Sequence, residues 1–84
     1  MRIELLDEVV ACSADFHGGQ ITPLRFWRGE RELDVAQVHV RWLDRSHKHP
    51  QFYFSAETST GDVYELRLDS GRMLWRLQSV LLDG

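Results

Sequence analysis

The sequence predicts an all-β domain: about six antiparallel strands in a meander, forming a strongly bent sheet or a partly open small barrel. Three observations carry that prediction. Turn signals recur every ~10 residues, a spacing that suits a β-sandwich or barrel rather than βαβ units. They fall at His17-Gly18-Gly19-Gln20, Arg28-Gly29-Glu30-Arg31, Ser46-His47-Lys48-His49-Pro50, Ser59-Thr60-Gly61-Asp62 and Ser70-Gly71-Arg72. Between the turns, apolar residues alternate with polar ones at a period of two. The connections are short, which favours antiparallel neighbours.

The chain of 84 residues is the size of one small domain. Three Trp, two Tyr and four Phe supply large buried areas, so one core can form without staples.

The organising stretch is Pro23 to Val35, where one alternating run ends in Trp27-Arg28-Gly29 and another begins after the turn. It is a tight hairpin, and the other strands lie beside it. Ahead of it, Val9 to Phe16 is a strand. Leu5, Leu6, Asp7 and Glu8 suit either an extended segment or a helical turn. Paired glycines at 18 and 19 make the first turn, because glycine takes positive φ without steric cost. Ile21 to Trp27 is the second strand; Pro23 lacks an N–H and favours a sheet edge or a strand start.

The third strand runs from Glu32 to about Arg45. Leu33 and Val35 share one parity, and Val38, Val40 and Trp42 the other, so a β-bulge or bend is expected at Ala36-Gln37. Gln51 to Thr58 follows, with Phe52, Phe54 and Ala56 inward. Val63 to Asp69 places Tyr64, Leu66 and Leu68 inward. Met73 to Leu82 places Met73, Trp75 and Leu77 inward, and a slip at Gln78-Ser79 turns Val80 and Leu82 inward instead. The expected core is Phe26, Val38, Val40, Trp42, Phe52, Phe54, Tyr64, Leu66, Leu68, Trp75 and Leu77.

Composition narrows the function classes. Net charge is −3, the wrong sign for a global grip on nucleic acid. The basic residues are nonetheless all Arg except Lys48, and Arg makes planar bidentate contacts and stacks on aromatic rings. No apolar run approaches the ~20 residues of a membrane span, so no membrane partner is expected. The acidic N-terminus does not resemble a signal peptide. A lone Cys12 excludes an intramolecular disulfide and fits a reducing compartment, which makes the expectation cytoplasmic.

Two sets of residues offer chemistry. His47 and His49 lie one residue apart on an extended segment and share a side, so with His17 or an acid they could hold zinc. The alternative is a solvated loop ahead of Pro50. Cys12 lies among small apolar residues, as a structural thiol does, and has no base fixed beside it by spacing.

The outward parity is more informative. Arg25, Trp27, His39, Arg41, Tyr53, Arg67 and Arg76 all point away from the expected core. Arg28 adjoins Arg25 and Trp27 at the hairpin. Small barrels bind single-stranded nucleic acid on such arginine–aromatic faces, and Trp, Tyr and Arg also mark protein interfaces. Cross-strand ion pairs with Glu57 and Glu65, on the same parity, are the competing explanation.

Pro23, Phe26, Trp27-Arg28-Gly29, Val35, Val38, Trp42, Phe52-Tyr53-Phe54, Tyr64-Glu65-Leu66 and Trp75-Arg76-Leu77 follow one another in an order that resembles an uncharacterised small bacterial family with a W-R-G hairpin. The resemblance covers roughly residues 20 to 82. Some members are appended to proteins resembling Y-family DNA polymerases, so it implies an association with DNA repair. This chain has Leu33 where the family usually has an aromatic, and its His47-Lys48-His49 loop lies outside the pattern. The resemblance carries over no catalytic residue.

The first expectation is therefore a non-catalytic binding module without metal or cofactor. Its contacts would be Arg25, Trp27, Arg28, Arg41, Tyr53, Arg67 and Arg76, and its partner a protein or single-stranded nucleic acid. The second is a small metal-binding or enzymatic domain centred on His47, His49 and Cys12.

Overall fold

Two glycine pairings with the backbone decide where this chain first reverses. Gly18 and Gly19 both hold positive φ, at 58° and 76°, which is the requirement of a two-residue hairpin whose twist matches its strands. Gly29, at φ 64°, does the same at the first position of the next turn. The computed structural model describes residues 2–82. It contains six strands: β1 (Arg2–His17), β2 (Gln20–Arg28), β3 (Arg31–Asp44), β4 (Gln51–Thr58), β5 (Val63–Asp69) and β6 (Leu74–Leu82). Each pairs antiparallel with the next, and β1 also pairs with β6, so the meander closes into a six-stranded barrel.

Two long strands turn the corners. β1 gives residues 2–10 to β6 and residues 11–17 to β2. The segment over Leu5 to Glu8 is thus extended, not helical. β3 gives Arg31–Asp34 to β2 and Val35–Asp44 to β4. Bulges bend these strands enough to share them between two parts of the sheet. Beyond the Arg25–Asp34 pair, β2 and β3 part company. Pro23 sits on the stretch of β2 that pairs with β1 alone, so its missing N–H costs nothing on the β3 side.

The interior follows the alternation of β4, β5 and β6. Phe54, Ala56, Tyr64, Leu66, Leu68, Trp75, Leu77 and Val80 are buried, joined by Val10, Phe26 and Leu33. Phe26 meets Tyr64 edge to face at 5.2 Å, and Phe54 packs on Trp75 at 5.6 Å. Full burial of one such side chain contributes about 1.5–3 kcal/mol. Val38, Phe52 and Leu82 are half-buried against this cluster.

Both expected slips are present: the registers shift between Val35 and Gln37 on β3, and at Gln78 on β6. Two further bulges overturn part of the expected core. A shift between Val38 and Val40 leaves His39 as an extra residue, which sends Val40 and Trp42 to the outer face, 51% and 40% exposed. It turns Arg41, expected outward, to the opposite side. On β2, Leu24 is the extra residue between the Ala14–Pro23 and Ser13–Arg25 pairs. Leu24, expected inward with Phe26, is therefore exposed, and Pro23 takes the inward place. Met73, expected inward, is not in β6; it ends the preceding turn with a φ of 54° and is exposed.

Candidate binding face

The bulge at His39 builds the most distinctive surface of the molecule. It puts Trp42 on the outside directly opposite Tyr53, and the two rings lie parallel, 6° apart in plane with centroids at 5.1 Å. The pairing continues across the sheet. Tyr53 is opposite Arg67, Arg67 opposite Arg76, and Arg76 opposite Val9. One row on five strands thus reads Trp42, Tyr53, Arg67, Arg76, Val9. Beside it, Ile3, Val40, Val63 and Leu81 line a shallow outer groove of about 320 Å³ that also takes in Trp42.

The charges in this row are not balanced. Arg76 is held by Asp7 at 2.8 Å. Arg67 has no ion pair and no hydrogen bond to any described residue, and its Nε is shut off from solvent without an acceptor. A buried donor left unpaired costs about 1–3 kcal/mol. Placing it directly across from a second arginine adds to that cost, because like charges facing each other destabilise a sheet. The expected cross-strand pairing comes in part and does not reach Arg67: Glu57 pairs across the sheet with His39 at 2.7 Å, and Glu65, in register with Ser55 and Ser79, makes no ion pair with a described residue.

A cavity of about 430 Å³ opens next to Arg67, between the β3–β4 loop and the β5–β6 turn. His47, Lys48, His49 and Arg72 line it with Arg67. Its one acid, Asp69, is already engaged: Oδ1 accepts from the Gln51 amide at 3.1 Å and from the Gly71 N–H at 2.9 Å. These bonds, Gln51 foremost, hold the Asp69 carboxyl below the ordinary carboxylate range.

The remaining sequence-predicted residues lie elsewhere. Arg25 is on the outer face of β2, bound to Asp34 at 2.7 Å and near Glu32. Trp27 is half-buried on the same face, between Ala11 and Glu32. Arg28 shares the inward parity of Phe26 and sits at the barrel end. It donates two bonds of 3.0 Å to the Glu8 carboxylate, which hold the guanidinium pKa above its ordinary value. Arg41 spans the gap between β3 and β2, donating to Thr22 Oγ1 at 2.9 Å. Of the seven expected contacts, the fold brings Tyr53, Arg67 and Arg76 into one row. Sequence reasoning missed Trp42, which it placed in the core, and Lys48 and Arg72, which lie in turns.

Cys12 and the two histidines are not brought together. Cys12 lies on the inward parity of β1 opposite Phe26, and its thiol contacts the Ser13 carbonyl at 3.6 Å. Burial pushes its pKa up to about 12, the opposite of what a nucleophile needs. It does not line the cavity that holds His47 and His49. Among the described residues, no group of three His, Cys, Asp or Glu side chains is placed to hold a metal ion.

Fold and face together describe a small antiparallel barrel with an arginine–aromatic outer row. Searches of protein-family models, curated proteins and solved structures returned no match to this chain.

Proposed function

We propose that this barrel is a non-catalytic binding module that takes single-stranded nucleic acid on the row Trp42, Tyr53, Arg67 and Arg76. The observation that supports this most is the parallel Trp42–Tyr53 pair beside an arginine with no partner of its own. Exposed aromatic rings accept unpaired bases regardless of sequence, and each stacked base contributes about 1–3 kcal/mol. An unpaired guanidinium one strand away gains the anion it lacks when a phosphate arrives. The protein's overall acidity is compatible with this, because the attraction is local and short strands suffice.

The apolar groove of Ile3, Val40, Val63 and Leu81 on the same face supports a second reading, a protein partner whose apolar side chains fill it.

Fluorescence anisotropy with a labelled oligothymidylate at low salt separates the two. Binding should weaken as salt rises, with a logarithmic slope of about −1.4 if two phosphates are neutralised. Trp42→Ala and Tyr53→Ala should each weaken it by roughly 1–3 kcal/mol, while the variants keep the far-ultraviolet spectrum of the parent. Absence of binding by the parent protein at low salt rules out the nucleic-acid reading and leaves the protein partner.

A further inference from the structure

We propose that the cavity between the β3–β4 loop and the β5–β6 turn binds a phosphate monoester, the terminal phosphate of a single strand whose base reaches the Tyr53–Trp42 pair. The second half of that statement rests on the nucleic-acid reading above; the phosphate site stands on its own geometry.

The floor of the cavity is the paired segment where Gln51 faces Asp69 and Tyr53 faces Arg67. Its two walls are clamped together. The Ser70 hydroxyl and N–H both donate to the Pro50 carbonyl, at 2.7 and 3.3 Å. The His49 side chain lies flush against Gly71, where an added Cβ would clash with the ring. Any larger residue at 71 would require the His49 side chain to move. The walls are thus fixed before any ligand arrives, which lowers the entropy lost on binding.

Charge identifies the ligand. Lys48, Arg67 and Arg72 are basic side chains, and His47 and His49 add further donors. Asp69 is the single carboxylate among the lining residues, and its Oδ1 is taken by Gln51 and the turn backbone. His47 also approaches Asp44 at 3.6 Å, outside the cavity lining. Three basic side chains against one acid leave an excess of about two positive charges in a protein whose net charge is −3. A phosphate monoester carries ≈ −1.5 to −2 at neutral pH and offers three acceptor oxygens, which matches that excess better than a carboxylate or a diester does. Arg67 lines the cavity and its terminal guanidinium nitrogens, unlike the shielded Nε, are open and make no hydrogen bond to a described residue, so they are the donors such an oxygen would meet. At about 430 Å³ the cavity is larger than a phosphate, so part of the attached sugar fits too. Tyr53 is one strand spacing from Arg67, about 4.8 Å, so a base joined to that phosphate meets the stacked rings.

Two measurements at constant ionic strength test this. In the first, inorganic phosphate is titrated into the protein and followed by amide NMR, with chloride as the control. Saturable shifts confined to residues 47–51 and 67–72 are expected. In the second, anisotropy compares 5′-phosphorylated, 3′-phosphorylated and unphosphorylated forms of one oligonucleotide. One phosphorylated form should bind about tenfold tighter than the unphosphorylated one, equivalent to about 1.4 kcal/mol. Lys48→Gln with Arg72→Gln should abolish that difference and the phosphate shifts, while leaving unphosphorylated binding in place. If phosphate gives no localised shifts and terminal phosphates give no gain, this inference is overturned while the nucleic-acid reading survives. If phosphate binds but no oligonucleotide does, the site stands, its source is a small phosphomonoester, and the nucleic-acid reading falls. If all three oligonucleotides bind equally while phosphate shifts the amides, the assignment to a strand terminus is overturned.

Discussion

The two ends of the barrel treat charge in opposite ways. At the end near the Gly29 turn, Arg28 donates two bonds of 3.0 Å to the Glu8 carboxylate. At the other end, Lys48, Arg67 and Arg72 gather around one engaged carboxylate, and Arg67 Nε is buried with nothing to donate to. Both arginines lie on barrel strands, beside buried aromatic or apolar neighbours. The first is accounted for by folding alone. The second makes the folded state worse than a neutral residue would, so folding alone does not account for it. The comparison teaches that an arginine on a sheet is read by its partners, not by its parity.

The largest expected effect is at the satisfied end. Tyr64 is 2% exposed and meets Phe26 edge to face. Tyr64→Ala should destabilise the domain by about 3–5 kcal/mol, a large part of the about 5–15 kcal/mol typical of a native protein. Chemical denaturation checks this, and a loss under 1 kcal/mol would break the comparison at its packed end.

Next comes Arg28→Met. The Arg28–Glu8 pair is about a third exposed on each side, so its charge-assisted bonds are discounted for solvent. A loss of about 1.5–2 kcal/mol is expected from the same measurement, and Glu8→Gln should reproduce part of it.

Cys12, on the inner wall between the ends, sharpens the comparison through pH. Its thiol has an ordinary pKa of 9.0 in the open chain and about 12 in the fold. Above pH 9 the unfolded chain gives up a proton that the native barrel keeps, so the native state is disfavoured as pH rises. Stability is complete below pH 9 and falls between 9 and 12, by about 1.4 kcal/mol at pH 10. Denaturation midpoints at pH 7.5 and 10 should diverge by that much more for the parent than for Cys12→Ala.

Much of this fold was legible because most strands declare their faces. Tyr64, Leu66 and Leu68 alternate with charged residues, and their burial follows directly. The slips at Ala36-Gln37 and Gln78-Ser79 were visible because the apolar residues themselves change parity there. The bulge at His39 was not visible. Val38, Val40 and Trp42 continue an unbroken apolar alternation, and only three-dimensional pairing reveals that the last two face solvent. The same blindness hid Leu24, whose neighbour Pro23 is also apolar. The arginine–aromatic row was legible in part for this reason. Tyr53, Arg67 and Arg76 lie on cleanly alternating strands and were placed correctly outward; Trp42, the other half of the stack, was assigned to the core. Arg28 shares the inward parity of Phe26, so alternation alone separated it from Arg25 but could not name Glu8, twenty residues away, as its partner. Lys48 and Arg72 lie in turns, where alternation says nothing about what converges.

The smallest expected effect is the most direct test of the central claim, that Arg67 serves a ligand and not the fold. Replacing Arg67 by Gln and measuring chemical denaturation should leave stability within about 0.5 kcal/mol of the parent, or raise it, because an unpartnered donor facing a second arginine is removed. A loss of 1 kcal/mol or more, comparable with that of Arg28→Met, would contradict the account and return Arg67 to the architecture of the barrel.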